Sequence, residues 1–302
     1  MKLQRFALVL AGAGLVAATT ASGPALGATQ SELAPSSGPQ CGNQIVWPTA
    51  SNTVGSAEVI PAKPPRAWRY DPFKFFVSRY TATWYVAQNS SGSQVYTYGL
   101  FLQGANLYRH TRTLPGDGSA PRLTATKVGP GWASFKSIAT SNHSVDAPSH
   151  AYLYGLNTNG RLYRYAKNGA GYKALGSFGG FASFKAMTVI SETQTYDTLL
   201  MTTKAGALYT IHIPITAKAT PAVKLIRKSG WAAYESLVVE GCNSGGSLVV
   251  AIDHDTDSGY QYAFGHANGA ATPITSYGKI PVVFNGINHA AQISHYTMLE
   301  GE

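Results

Sequence analysis

The chain has 302 residues, with 23 Lys and Arg against 14 Asp and Glu, for a formal net charge of +9. Its basic residues are scattered (Lys63, Arg66 and Arg69; Arg109 and Arg112; Lys224, Arg227 and Lys228) with no run of five, which argues against a nucleic-acid footprint. A basic balance of this kind instead biases the chain toward anionic surfaces such as acidic wall polymers or glycans.

Residues 1–28 read as a secretory signal peptide. Lys2 and Arg5 form a positive start, Phe6 to Ala18 an apolar run, and small residues follow with cleavage expected after Ala21 or Ala28. Without Lys2 and Arg5 the balance is +7, 21 basic against 14 acidic residues. No later stretch is long and apolar enough to span a bilayer. The expected localisation is therefore secreted, with no membrane span. Residues 29–40 are rich in Ser and Pro and read as a disordered lead-in. Only Cys41 and Cys242 are present, and an even count in an oxidising compartment predicts one disulfide between them.

The region 41–302 is organised by a repeat. GWASFK begins at Gly131, GFASFK at Gly180, GWAAYE at Gly230 and a weaker GKIPVVF at Gly278, spaced 49, 50 and 48 residues apart. RYDPFK, from Arg69, fits the same frame if two Gly/Ser-rich insertions absorb a longer gap. After each start comes a second strand, at Thr97, Ala151, Thr198 and Ser247. A Gly-containing turn leads to a third strand, at Asn106, Arg161, Ala207 and Tyr260. A fourth follows at Arg122, Tyr172, Ala222 and Ala271. These short runs of Tyr, Leu, Val and Thr, punctuated by Gly, Asn and Ser, are strand signals, and no helical apolar stripe is evident.

Four strands at a period of about 40 to 50 residues mark a β-propeller blade. Starts near residues 69, 131, 180, 230 and 278 predict an all-β, five-bladed propeller of four-stranded antiparallel blades in a single domain. The fifth unit is short, with only VVFNGI and QISHYTML after Gly278. Residues 41–68 are expected to complete it, so that both termini share one blade and close the ring.

The pattern G-W-x-x-F-K, followed by a strand and then N-G-x-L-Y-R-Y, resembles the tachylectin family from Arg69 to the C-terminus, most strongly over Gly131–Gly179. The resemblance implies a five-bladed propeller lectin with about one pocket per blade, selective for N-acetylated amino sugars. The fourth unit departs from it with an acidic turn, and the fifth start is degenerate.

Aromatic rings stack on the C–H faces of sugars, and side-chain amides bond their polar groups. The sugar-binding candidates are accordingly Trp132, Asn157, Asn159 and Trp231, then Phe181, Gln103 and Asn106. The same aromatics can simply seal the gap between blades, and Asn-Gly is a tight-turn pair. In DHDTDSG, Asp253, Asp255 and Asp257 alternate as in a Ca²⁺ loop, but Gly falls one place late and Phe264 stands where an EF-hand has Glu. A solvated acidic turn is the preferred reading over a metal site. No cofactor is otherwise implied.

No G-x-S-x-G or H-E-x-x-H motif is present, and no catalytic residue is assigned. The reading is a secreted, non-catalytic, multivalent, monomeric carbohydrate-binding protein whose partners are glycans or cell-surface polysaccharide, not nucleic acid. The alternatives are a propeller hydrolase or lyase using Glu235 and Asp71, or a protein-interaction scaffold.

Overall fold

Most of the strand-like runs become strands. The structure, a computed structural model, describes residues 41–49, 53–74, 80–144, 146–242, 246–285, 290–294 and 299–302. The expected leader and lead-in lie outside these residues.

Strands β1 (Asn43–Pro48), β2 (Thr53–Ile60) and β3 (Arg66–Lys74) come first. A first group follows: β4 (Tyr80–Thr81), β5 (Trp84–Gln88), β6 (Gln94–Gln103), β7 (Asn106–Pro115) and β8 (Arg122–Pro130). The second group is β9 (Phe135–His143), β10 (His150–Asn157), β11 (Leu162–Asn168) and β12 (Gly171–Phe178). The third is β13 (Phe184–Glu192), β14 (Tyr196–Thr203), β15 (Leu208–Pro214) and β16 (Ala222–Arg227). The fourth is β17 (Ser236–Cys242), β18 (Gly246–Asp253), β19 (Ser258–Phe264) and β20 (Ile274–Lys279), before β21 (Ala291–Ser294).

The second, third and fourth groups are each a four-stranded antiparallel sheet in sequence order. The remaining strands form a nine-stranded sheet of order β3-β2-β1-β21-β5-β6-β7-β8, with β4 also on β6. Its two halves meet only where β21 pairs in parallel with β5, at Ile293↔Trp84 and Ser294↔Tyr85. The half β21-β1-β2-β3 is called the terminal group below. The leading strands of successive groups lie against one another, β4 on β9, β9 on β13, β13 on β17 and β17 on β21.

Two expectations are corrected. The terminal group takes three strands from the N-terminal region and one from the C-terminal region, not two from each. In the stretch VVFNGI the described residues, through Asn285, form no strand, because β1 already pairs with β21 and β2. RYDPFK does not open an inner strand; it lies within β3, the outer strand that pairs with β2 alone.

The apolar face of each group is buried against the next. Leu102, Leu107 and Leu153 pack between the first and second groups, and Leu156, Leu162 and Met201 between the second and third. Leu200, Leu208 and Val249 lie between the third and fourth, and Val250, Phe284 and Trp47 between the fourth and terminal groups. Val54, Trp84 and Phe101 join the terminal group to the first. The Cys41–Cys242 disulfide pins the start of β1 to the end of β17 across 201 residues of sequence. On the chain-entropy model a loop of that length contributes about 5 kcal/mol.

Candidate functional site

Each repeat corner is built the same way. Gly131, Gly180, Gly230 and Gly278 hold φ of 91°, 90°, 97° and 103°, a left-handed conformation that side chains with a Cβ rarely adopt. At the first three corners the next residue is buried, whereas Lys279 after Gly278 is exposed and Ile280 takes the buried place. The Trp132 N–H donates to Ala105 O, Phe181 to Gly160 O and Trp231 to Gly206 O, at 2.9–3.0 Å. The three rings are 6 %, 3 % and 5 % exposed. Trp132 packs on Phe135 and Tyr165 at 4.6 and 5.1 Å between centroids, and Trp231 on Tyr262 at 5.0 Å. Gly155 makes room for this, since a Cβ there would meet the Phe135 ring at 2.6 Å.

The motif lysines are clips between groups. Lys136 Nζ donates to Phe184 O at 2.6 Å, and Lys185 Nζ to Ala232 O while pairing with Glu235 at 2.7 Å. Glu235 therefore has a structural partner, and its second oxygen accepts the His254 N–H at 3.0 Å. Asp71 lies in β3, outside the side chains described.

The polar candidates serve the turns. Asn157 is buried; its Oδ1 accepts from Asn159 N–H and its Nδ2 donates to Ser134 Oγ. Asn159 is exposed, with Oδ1 accepting from Arg161 N–H and Nδ2 donating to the Tyr163 hydroxyl. Gln103 and Asn106 pair with each other across the β6–β7 turn, and Gln103 Oε1 lies 2.9 Å from His110 Nε2. In the acidic turn, Asp253 Oδ1 accepts from the N–H groups of Asp255 and Thr256, and Asp257 takes a positive φ of 52°. Among the described residues no three His, Cys, Asp or Glu side chains converge as a metal site.

A cavity of about 230 Å³ opens between the first and second groups. None of the sequence-derived candidates lines it. It lies toward the other end of the strands: Phe135 opposes Asn157 near the corner, whereas Asn142 opposes Ala151 at the cavity. Seven residues of strand separate the two ends, roughly 23 Å at ~3.3 Å per residue.

Ladder register fixes which side chains face it, because directly opposed residues share a sheet face. On the first group, Tyr85 opposes Tyr98 and Leu100 opposes Arg109. On the second, Asn142 opposes Ala151, and Lys167 opposes Tyr172. The Tyr85 hydroxyl donates to Thr140 Oγ1 at 3.2 Å, bridging the two walls. The Tyr85 and Tyr98 rings sit 5.8 Å apart. Tyr152 and Ser141 contribute backbone only, for their side chains belong to the opposite face, where Ser141 meets Asp197 and Tyr152 meets Arg164.

Burial raises the Tyr85 hydroxyl well above its ordinary range, with Glu192 adding to the effect. Burial also raises Tyr172, partly offset by the Arg109 guanidinium beside it. Both phenols thus stay protonated and can donate as well as accept. Behind the cavity, burial pushes the Glu192 carboxyl up to about 8, although the Asn142 N–H that it accepts at 2.8 Å pulls the other way. Glu192 and Glu240 border a separate void near Tyr85 and Thr140 of only about 10 Å³.

Ser141, His150 and Asp197 meet beside the cavity but do not form a relay. Ser141 Oγ and His150 Nε2 both contact the same Asp197 Oδ1, at 2.6 and 3.0 Å. A catalytic histidine uses one ring nitrogen for the serine and the other for the carboxylate; here His150 Nδ1 is buried with no partner.

The cavity-lining residues escaped sequence reading because they sit within strands. Tyr98 and Arg109 read as ordinary members of TYGLFL and NLYRHT, and only cross-strand register gathers them with Lys167 and Tyr172.

No family model matches the chain, and no curated protein matches it. Among solved structures, an α-L-arabinofuranosidase from Podospora anserina in complex with cellotriose is 12 % identical with a TM-score of 0.43, covering 66 % of this chain and 73 % of that one. A mutant of AofleA from Arthrobotrys oligospora is 15 % identical with a TM-score of 0.41, covering 87 % and 79 %. A mutant Aleuria aurantia lectin in complex with α-methyl-L-fucoside is 12 % identical with a TM-score of 0.39, covering 80 % and 79 %. Similarity at this level assigns neither an activity nor a ligand to the chain.

Proposed function

We propose that the chain is a secreted, non-catalytic carbohydrate-binding protein on a five-bladed β-propeller, with the cavity between the first and second groups as its principal site. The blade count is supported by the five apolar layers, which join each group to the next and the terminal group to the first. Secretion is supported by the disulfide, since such bonds persist in oxidising compartments.

The observation that carries the function is the lining itself. Tyr98 and Tyr172 offer aromatic faces, while Asn142, Thr140 and the Tyr85 hydroxyl offer donors and acceptors. Apolar walls with a few convergent polar groups are the usual build of a small-ligand site. A volume of about 230 Å³ lies just under the roughly 300 Å³ typical of such sites and suits a single sugar ring. The repeat corners, with their rings buried in core clusters, are proposed to be structural. The multivalent, N-acetyl-selective form implied by the tachylectin resemblance requires equivalent openings elsewhere.

A glycan array with the wild-type chain and Tyr98→Ala tests this. The wild type is expected to retain a definable glycan class, and the variant to lose it. An array with no retained glycan overturns the reading.

One observation favours a glycoside hydrolase as a second reading. Glu192 and Glu240 border the separate small void near Tyr85 and Thr140, and the Glu192 carboxyl, held protonated, is what a general acid requires. The void they border, about 10 Å³, has no room for a sugar ring, so the geometry favours binding. Turnover of a polysaccharide that is abolished in Glu192→Gln would reverse that order.

A further inference from the structure

We propose that the cavity between the first and second groups takes a sugar bearing a carboxylate, held by Arg109 with Lys167 at the mouth. The proposal rests on the carbohydrate-binding reading of this same cavity and adds the charge of its ligand.

Arg109 has a counterpart one unit on. Leu107 opposes Leu102 in the first group as Leu162 opposes Leu156 in the second, so Arg109 corresponds to Arg164. Arg164 is 3 % exposed, and its guanidinium donates to Pro214 O at 2.8 Å and Thr216 O at 2.6 Å. Those carbonyls come from the end of β15 and the connection that leads to β16 at Ala222. The corresponding turn facing Arg109 is far tighter: β11 and β12 pair to their ends at Asn168↔Gly171, leaving only Gly169 and Ala170 between. No strap of chain is available there to offer carbonyls. Arg109 instead lies half-buried on the cavity wall beside the Tyr172 hydroxyl.

The opposite wall differs in the same sense. Asn142 opposes Ala151 in the second group, as Glu192 opposes Asp197 in the third. A methyl thus stands in the first gap where the second gap has a carboxylate. The lining holds two cationic side chains and, among the described residues, no carboxylate. A planar guanidinium presents paired donors that match a carboxylate's two oxygens, and partial burial shields the pair from salt. Tyr98 and Tyr172 flank that point and can receive the faces of the ring that carries the acid.

Carboxylated sugars come as uronates or as sialic acids, and calorimetric titrations of matched pairs separate these sources. One arm compares trigalacturonate with its methyl ester; the other compares 3′-sialyllactose with lactose. In at least one arm the acid is expected to bind about tenfold or more tightly than its neutral partner, the advantage of charge-assisted bonds. That ratio should shrink to about twofold or less in Arg109→Gln and fall partway in Lys167→Gln, whose exposed site carries little risk to folding. Equal affinities within both pairs, or a ratio unchanged in both variants, overturn the proposal. Binding of neither pair also overturns it, and the carbohydrate reading then survives only if the array retains another glycan that Tyr98→Ala loses.

Discussion

The gap between the first and second groups and the gap between the second and third are built on one plan and end in opposite states. In the second gap, Asp197 is fully buried and accepts from Ser141 at 2.6 Å and Tyr154 at 2.7 Å, with His150 Nε2 at 3.0 Å. Arg164 crosses to the next group and lies over the Tyr152 ring at 5.2 Å. In the first gap the position of Asp197 is Ala151, the arginine has no strap to hold, and a cavity remains. A repeat can therefore leave a cavity by omission. Removing one carboxylate and shortening one turn is enough to leave side chains of the same type facing a cavity.

The largest expected effect comes from emptying the filled gap. Asp197→Ala strands the Ser141 and Tyr154 hydroxyls and the His150 ring in a buried layer. At 1–3 kcal/mol for each orphaned group, the loss should be about 3 kcal/mol or more, read as a lower midpoint in urea with an unchanged slope. A midpoint within error of wild type would mean that the network does not hold the gap closed.

Filling the open gap should do the reverse. Ala151→Leu places a branched side chain against the cavity, and the affinity for an array-identified glycan should fall by about tenfold or more, with thermal stability lowered by no more than ~1.5 kcal/mol. Retained affinity would place the ligand elsewhere.

A pH-dependent effect tests the layer behind the cavity. The Glu192 carboxyl is raised from 4.5 to about 8 in the folded chain. Between those values the folded state holds a proton that the unfolded chain has released. Its contribution is thus complete below about 4.5 and is lost as pH rises through about 8. The melting temperature of the wild type should decline relative to Glu192→Gln between about pH 5 and pH 8. Parallel curves would show that Glu192 is solvated. The smallest effect is expected at Asn159→Ala, an exposed turn residue whose loss should cost ~0.5–1 kcal/mol and leave glycan affinity unchanged; a loss of glycan binding there would restore the corner as a site.

Much of the fold was legible in the sequence, because its signals are local and repeated. The Gly-aromatic corner recurs at spacings of 49 and 50 residues, four strand-like runs fill the period, and two cysteines leave one pairing. The sharing of the terminal group was only half legible. QISHYTML and VVFNGI look equally strand-like, and only the pairing of β21 with β1 and β5 decides between them. The cavity was not legible at all. NLYRHT and RLYRYA present Arg109 and Arg164 alike, and their difference lies in residues about 50 to 60 positions away across a gap. Trp132, the most conspicuous ligand candidate, packs in the core, where its ring meets Phe135 and Tyr165.

The central claim is that the opening between the first and second groups, not the repeated corner, holds the sugar. A crystal structure of the chain with the tightest glycan from the array tests it most directly. The account predicts a sugar ring between Tyr98 and Tyr172 with its polar groups on Arg109 and Asn142. A ring seated at the Trp132–Asn159 corner, with the cavity vacant, would contradict it.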